Sequence, residues 1–158
     1  MSKNLSLSFL IVVLCVVFVN FIFNTHKIFQ NEYQNLKTNN IKYVNINEAQ
    51  IRVDLALTYS EQDRGLAGRD VLKDGEGMLF IFDYGGKHAF WMKDMNFPID
   101  IVWMSEDLRI VYIKKDARPE SYPESFVPDQ SAMYALEVPA GFSEKNNFKV
   151  GDRVIFTY

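Results

Sequence analysis

Cysteine occurs once in this 158-residue chain, at Cys15, so an intramolecular disulfide is excluded and the redox compartment goes unread. The residues before it, "VVL", lack the small side chain expected ahead of a lipid-modified cysteine. Histidine is almost as scarce: His26 and His88 lie far apart, and scattered carboxylates around a lone histidine do not make a metal site. No metal and no cofactor are expected. A basic excess is missing too, the formal net charge being −3, which argues against a surface that tracks nucleic-acid phosphates. "GGKH" at residues 85–88 reads as a hairpin turn, since it lacks the spacing and the Ser/Thr of a phosphate loop. There is no "GxSxG", and no serine is tied to His88 by spacing, so nucleophilic catalysis has little support. Internal repeats are absent.

What the chain does have begins with "LSLSFLIVVLCVVFVNFIF", residues 5–23, which carries no charge. At about 1.5 Å per helical residue this run nearly spans a hydrocarbon core of about 30 Å. It exceeds the apolar core of an ordinary signal peptide, and "FNTHKIF" after it offers no small-x-small cleavage pattern. A retained transmembrane helix is therefore favoured over a cleaved signal. Lys3 before the run and His26–Lys27 after it leave its orientation open. The expected organisation is an anchor or signal segment over residues 1–24, a polar juxtamembrane tether or helix over 25–40, and a β-rich domain over 41–158.

From Ile41 the pattern shortens to a period of two. "QIRVDLAL" sets Ile51, Val53, Leu55 and Leu57 against Arg52 and Asp54, a half-buried strand that can pair with "IKYVNI" as a hairpin. Thr58 and Glu61 have capping-box spacing, and Gly65 can end the short helix they begin. "GMLFIF", "AFWMK", "IDIVWM" and "RIVYIK" read as four strands of a meander, the last two joined by a polar turn at residues 105–108. A long loop with three prolines follows, then the strand "AMYALEV", a short helix within residues 141–147, and a closing strand in "VGDRVIFTY". The expected fold is mainly β: a compact antiparallel barrel or sandwich with one or two short helices, preceded by an N-terminal transmembrane helix.

The stretch "HAFWMKDMNFPIDIVW", residues 88–103, sets polar groups among bulky apolar ones. Strand parity leaves Asp100 with Val102 and Met104, opposite Ile99, Ile101 and Trp103; Glu137 shares its face with Met133 and Ala135. Both carboxylates thus interrupt apolar faces, where desolvation raises a carboxyl pKa unless a cation or donors compensate. In one reading Asp100 and Glu137 cap loops or hold an arginine in a buried ion pair, with Arg64, Lys93 and Arg118 as partners; breaking such a pair costs roughly 3–5 kcal/mol. In the other they converge with Trp91 and Tyr122 on a pocket for a sugar or a cationic ligand. The first is the more economical. Hydrolysis by paired carboxylates, drawn from Asp94, Asp100 and Glu137, stays open.

Taken in order, "EQDRGLAGRD", "GEGMLFIF", "HAFWMKDMNFPIDIVW", "SYPES", "YALEVPAGF" and "VGDRV" resemble the pattern of the prokaryotic domain-of-unknown-function family 192, from about Ile41 to Tyr158. The resemblance implies a small β-rich domain, often behind an export signal or membrane segment, without an established activity. Its characteristic positions fall here on Arg64, Gly65, Trp91, Lys93, Pro98, Asp100, Tyr122 and Glu137. Of these Arg64, Trp91, Lys93, Asp100, Tyr122 and Glu137 are the candidate ligand-binding residues. The chain departs from the pattern at Ala67, where methionine is usual, at Asp94–Met95, where Asn-Thr is usual, and in lacking cysteines in the Pro-rich loop. The expectation is a membrane-anchored extracytoplasmic module that binds a small ligand, an envelope component or a partner protein. The alternative is a hydrolase or transferase acting on an envelope saccharide through Asp100 or Glu137.

Overall fold

The computed structural model describes the backbone of residues 3–38 and 40–158, and the side chains of residues 9–26 and 40–158. It separates into two compact units, residues 1–40 and 41–158. In the first, one helix, α1 (Lys3–Thr38), runs without interruption through the apolar run and the polar segment after it. At about 1.5 Å per residue it is about 54 Å long. Phe9–His26 is long and apolar enough to cross a membrane, and fits an anchor or a signal segment alike. Asn39, near the expected end of this helix, and the side chains of Lys3 and Lys27 lie outside the described residues.

The second unit is mainly β. Its elements are β1 (Tyr43–Ile46), β2 (Ala49–Ala56), α2 (Tyr59–Arg64), β3 (Glu76–Gly86), β4 (Phe90–Trp91), β5 (Ile99–Met104), β6 (Ile110–Ala117), a 3₁₀ turn at Pro119–Ser121, β7 (Ser125–Phe126), β8 (Ala132–Pro139), α3 (Phe142–Lys145) and β9 (Val154–Thr157). Seven strands form one curled sheet, a half-barrel, in the order β6-β5-β8-β3-β2-β1-β9. Its two edge strands meet at one end, where Arg109 bridges Arg153 and the Val154 amide donates to the Leu108 carbonyl.

The strand identities follow the period-two pattern, but the connections do not form a meander. β8 is inserted between β3 and β5, and β4 shrinks to two residues that pair with β7 as a separate ribbon. β2 and β3 run parallel, so the sheet is not purely antiparallel. The cause lies in α2: a helix between β2 and β3 carries the chain back to the starting end, and a crossover gives a parallel pair where a hairpin gives an antiparallel one. Gly77 permits the close approach of β3 to β8, since a Cβ there would lie 2.7 Å from the Glu137 carbonyl oxygen.

Each face of the sheet carries its own core. All seven strands contribute to the first, with Val44, Ile51, Leu79, Val102, Leu136 and Val154 among its members and Phe142 and Phe148 closing one end. The second is built of Met78, Phe80, Ile101, Trp103 and Ala135, covered by Leu66, Phe90, Met92, Met95 and Phe126 from the intervening segments. β5 is therefore buried along its whole length. Ile99, Ile101 and Trp103 serve the second core, while Val102 and Met104 serve the first.

Candidate functional site

Register decides what the two buried carboxylates can do. On β5 and β8 Asp100 lies opposite Val138 and Ile101 opposite Glu137, and directly paired residues share a face. Asp100 therefore faces the first core and Glu137 the second. They do not converge.

Asp100 is fully buried and fully engaged. Its Oδ1 accepts the Asp116 amide at 2.9 Å, and its Oδ2 accepts the Ser143 amide at 3.0 Å and the Ser143 hydroxyl at 2.5 Å. The first bond repairs a bulge: Ile99 and Ile101 oppose Ala117 and Lys114, so β6 carries an extra residue, and Asp116 sits there at φ 50°. The other two tie α3 to the sheet. None of its partners is a cation, and Arg118 instead pairs with Asp116 at 2.8 Å on the surface. The expected buried ion pair is absent here because backbone amides and a hydroxyl supply the donors.

Glu137 is 4% exposed, and its Oε2 has no hydrogen-bond partner. Burial pushes its carboxyl up to about 8, against a lesser opposing pull from Arg69. Arg69 is already committed to Asp54 at 2.7 Å. Neither Arg64 nor Lys93 forms an ion pair with Glu137 among the described residues, which corrects the expected pairing for this carboxylate as well. At neutral pH the group is a carboxylic acid set into an apolar wall.

That acid lines a cavity of about 450 Å³ on the second face, together with Phe80, Phe82, Phe90, Trp91 and Met95. The rings are mutually braced. Phe80 meets Phe90 edge-on at 4.8 Å, Phe90 meets Trp103 at 5.4 Å, and His88 stacks on Phe82 at 3.6 Å. The Trp103 indole donates to the His88 carbonyl at 2.9 Å, so the buried tryptophan pins the turn after β3. Residues 88–103 thereby divide their labour between packing, a turn and a cavity wall.

Over Glu137 passes the C-terminus of α2. Thr58 and Glu61 form the expected capping box, and Gln62 fastens the helix to β3 by donating to the Ile81 carbonyl at 2.8 Å. Gly65 ends the helix at φ 50°, ψ −132°, a region that side-chain-bearing residues avoid. A Cβ there would lie 3.3 Å from the Phe80 ring and 3.6 Å from Glu137 Oε2. Two hydrogen bonds hold the next segment down: Gly68 donates to the Asp94 carbonyl at 2.9 Å, and Asn96 to the Arg69 carbonyl at 2.8 Å.

Of the six sequence candidates, Arg64, Trp91, Lys93 and Glu137 line this cavity. Lys93 Nζ stands 6.0 Å from the Trp91 ring. Tyr122 does not line it, but its ring lies edge-on against Trp91 at 6.1 Å, and both are nearly half exposed. Asp100 is on the other side of the sheet. Phe80, Phe82 and Met95 also line the cavity, though they are not among those candidates. The first two were legible as same-parity aromatics in "GMLFIF", whereas the link from Ser143 to Asp100 spans 43 residues and has no local signal. Among the described residues no group of His, Cys, Asp and Glu is arranged to hold a metal ion.

A family profile for domain-of-unknown-function family 192, described as "Uncharacterized ACR", matches residues 42–156. A protein of unknown function from Novosphingobium aromaticivorans DSM 12444 superimposes with a TM-score of 0.69 at 29% identity, over 73% of this chain and 84% of that one. A protein from Sinorhizobium meliloti 1021, described as a candidate transcription regulator, does so with a TM-score of 0.65 at 29% identity, over 68% and 82%. No curated protein matches the chain.

Proposed function

The chain belongs to domain-of-unknown-function family 192, an uncharacterised family, and from that premise we propose that it is a membrane-anchored extracytoplasmic binding module whose cavity beside β8 takes a small ligand. The observation that carries this is Glu137: a buried carboxyl with an unpartnered oxygen, facing a cavity walled by braced aromatic rings. Leaving a buried polar atom unsatisfied costs about 1–3 kcal/mol, and a ligand group that bonds it recovers that cost. The braced rings and the capped α2 hold the cavity open beforehand, so little ordering opposes binding.

Residues 5–23 serve as the membrane anchor in this reading, and α1 continues beyond them through a polar segment. Partners are a small ligand or an envelope component. The regulator description of the Sinorhizobium protein is not carried over, because this chain's net charge of −3 gives no basic excess for phosphates. A second reading, a saccharide hydrolase with Glu137 as general acid, is favoured by the raised pKa alone. Of the other two carboxylates considered for that chemistry, Asp100 cannot take part from across the sheet and Asp94 does not line the cavity.

A ligand screen on the full chain in lipid nanodiscs tests the proposal, with Phe82→Ala and Glu137→Gln as controls. Ligands whose binding weakens in both variants support it. A broad library yielding none that depends on either residue overturns it.

A further inference from the structure

We infer that the occupant of this cavity is an organic ammonium ion, held with Glu137 as its counter-ion and with Phe80, Phe82, Phe90 and Trp91 around its alkyl groups. The inference rests on the reading of the cavity as a ligand site and names the ligand's chemistry.

Three observations lead to it. The first is the charge of the lining. Asp63 and Arg64 come from α2, Asp83 from β3, and Lys93 from the segment after β4; these four are exposed and sum to zero. Among the lining residues Glu137 is the one buried charge-bearing group, so with its proton lost the lining carries one net negative charge. A ligand of charge +1 neutralises it. The second is the missing counter-ion: Arg69, whose field reaches Glu137, is held by Asp54, and His88 has its ring against Phe82 and its Nε2 at 3.0 Å from the Tyr84 carbonyl. The third is the walls. Aromatic faces attract cations through their quadrupole, more strongly where water is excluded. A saccharide would need several buried donors and acceptors for its hydroxyls, yet the buried residues that line the cavity with Glu137 are Leu66, Phe80, Phe90 and Met95, and its hydroxyl and amide side chains, Tyr59, Gln62, Tyr84 and Ser125, are exposed or half-buried.

Binding is then coupled to a proton. Free Glu137 is protonated at pH 7; the complex is carboxylate plus ammonium, and the displaced proton goes to the buffer. With the free group titrating at about 8, most of a proton is released per ligand at pH 7, and affinity rises with pH until the free carboxyl is itself ionised, then levels.

The test is calorimetry on the full chain in phosphatidylglycerol nanodiscs, with empty discs subtracted. Probes are choline, benzylammonium, the uncharged choline isostere 3,3-dimethylbutan-1-ol, and methyl glucoside. Two buffers of different ionisation enthalpy give the proton count. At least one ammonium probe should bind with near-stoichiometric proton release; for choline that means at least tenfold tighter binding than its isostere. Glu137→Gln should abolish the proton release and weaken the ammonium probe at least tenfold. A urea melt shows whether that variant is folded. If it is not, Phe82→Leu decides: it should weaken the ammonium probe while leaving the isostere unchanged. Equal binding of choline and its isostere, ammonium binding of the same strength in a folded Glu137→Gln variant, or no ammonium binding overturns the inference. If methyl glucoside alone binds, and Phe82→Ala weakens it, the ligand-site reading survives and the ammonium assignment falls.

Discussion

Replacing Glu137 with glutamine should make the domain less sensitive to alkaline pH, and the structure sets the size of the effect. In the unfolded chain this carboxyl titrates near its ordinary 4.5; in the fold, burial raises it to about 8. Between those values the folded state keeps a proton that the unfolded state has lost, so stability falls as pH rises through the window. The favourable contribution is complete below about pH 4.5, drains away up to about pH 8, and is flat beyond. At 1.36 kcal/mol per pH unit, the loss from pH 5 to pH 8 is at most about 4 kcal/mol. Water entering the cavity reduces it, and about 2 kcal/mol is a fair lower bound if Glu137 stays uncompensated. Both tryptophans, Trp91 and Trp103, lie in the β domain, so urea unfolding followed by tryptophan fluorescence reads this domain within the full chain. The parent should lose about 2–4 kcal/mol more than Glu137→Gln between pH 5 and pH 8. Parallel pH profiles would refute the reasoning, because they would mean that a cation already compensates the carboxylate.

Asp100→Asn should behave in the opposite way, costing about 2–4 kcal/mol in the same urea assay, since an amide nitrogen would face a donor where a carboxylate now accepts three hydrogen bonds; an unchanged midpoint would contradict that bonding. Gly65→Ala should cost about 1–3 kcal/mol, because its backbone angles disfavour a side chain and the new methyl would press on Phe80; a neutral result would mean that α2 ends differently. For topology, protease added to intact spheroplasts should degrade the β domain while the retained N-terminal span protects residues 5–23, and intact mass should show no cleavage near Asn24. Degradation only after lysis would reject the external location, and a mature chain beginning near Asn24 would reject the anchor.

Much of the fold was legible because alternation in a strand needs only its own residues. "QIRVDLAL" exposes Arg52 and Asp54 while burying Ile51 and Val53, and Thr58, Glu61 and Gly65 bound α2 by local hydrogen bonds. Strand order was not legible. The insertion of β8 between β3 and β5 depends on long-range packing on both faces of the sheet, about which the hairpin-like spacing of residues 76–117 carries no information. The site divides along the same line. Parity correctly set Asp100 and Glu137 on faces that are otherwise apolar, but a one-residue difference in register decides whether they meet. It places Ile101, not Asp100, beside Glu137. Their unlike fates follow from neighbours distant in sequence: a bulge and Ser143 for Asp100, and a glycine backbone with aromatic rings for Glu137.

The reading of the cavity as a ligand site stands on one group, an uncompensated acid at its wall. Its titration can be followed in the full chain by carbon-13 NMR of glutamate labelled at the side-chain carboxyl, with Glu137→Gln identifying the resonance. That resonance should titrate with a midpoint of about 8 in the ligand-free protein. A midpoint at or below the ordinary 4.5 would contradict it, because Glu137 would then already hold a counter-charge and have none left to offer a ligand.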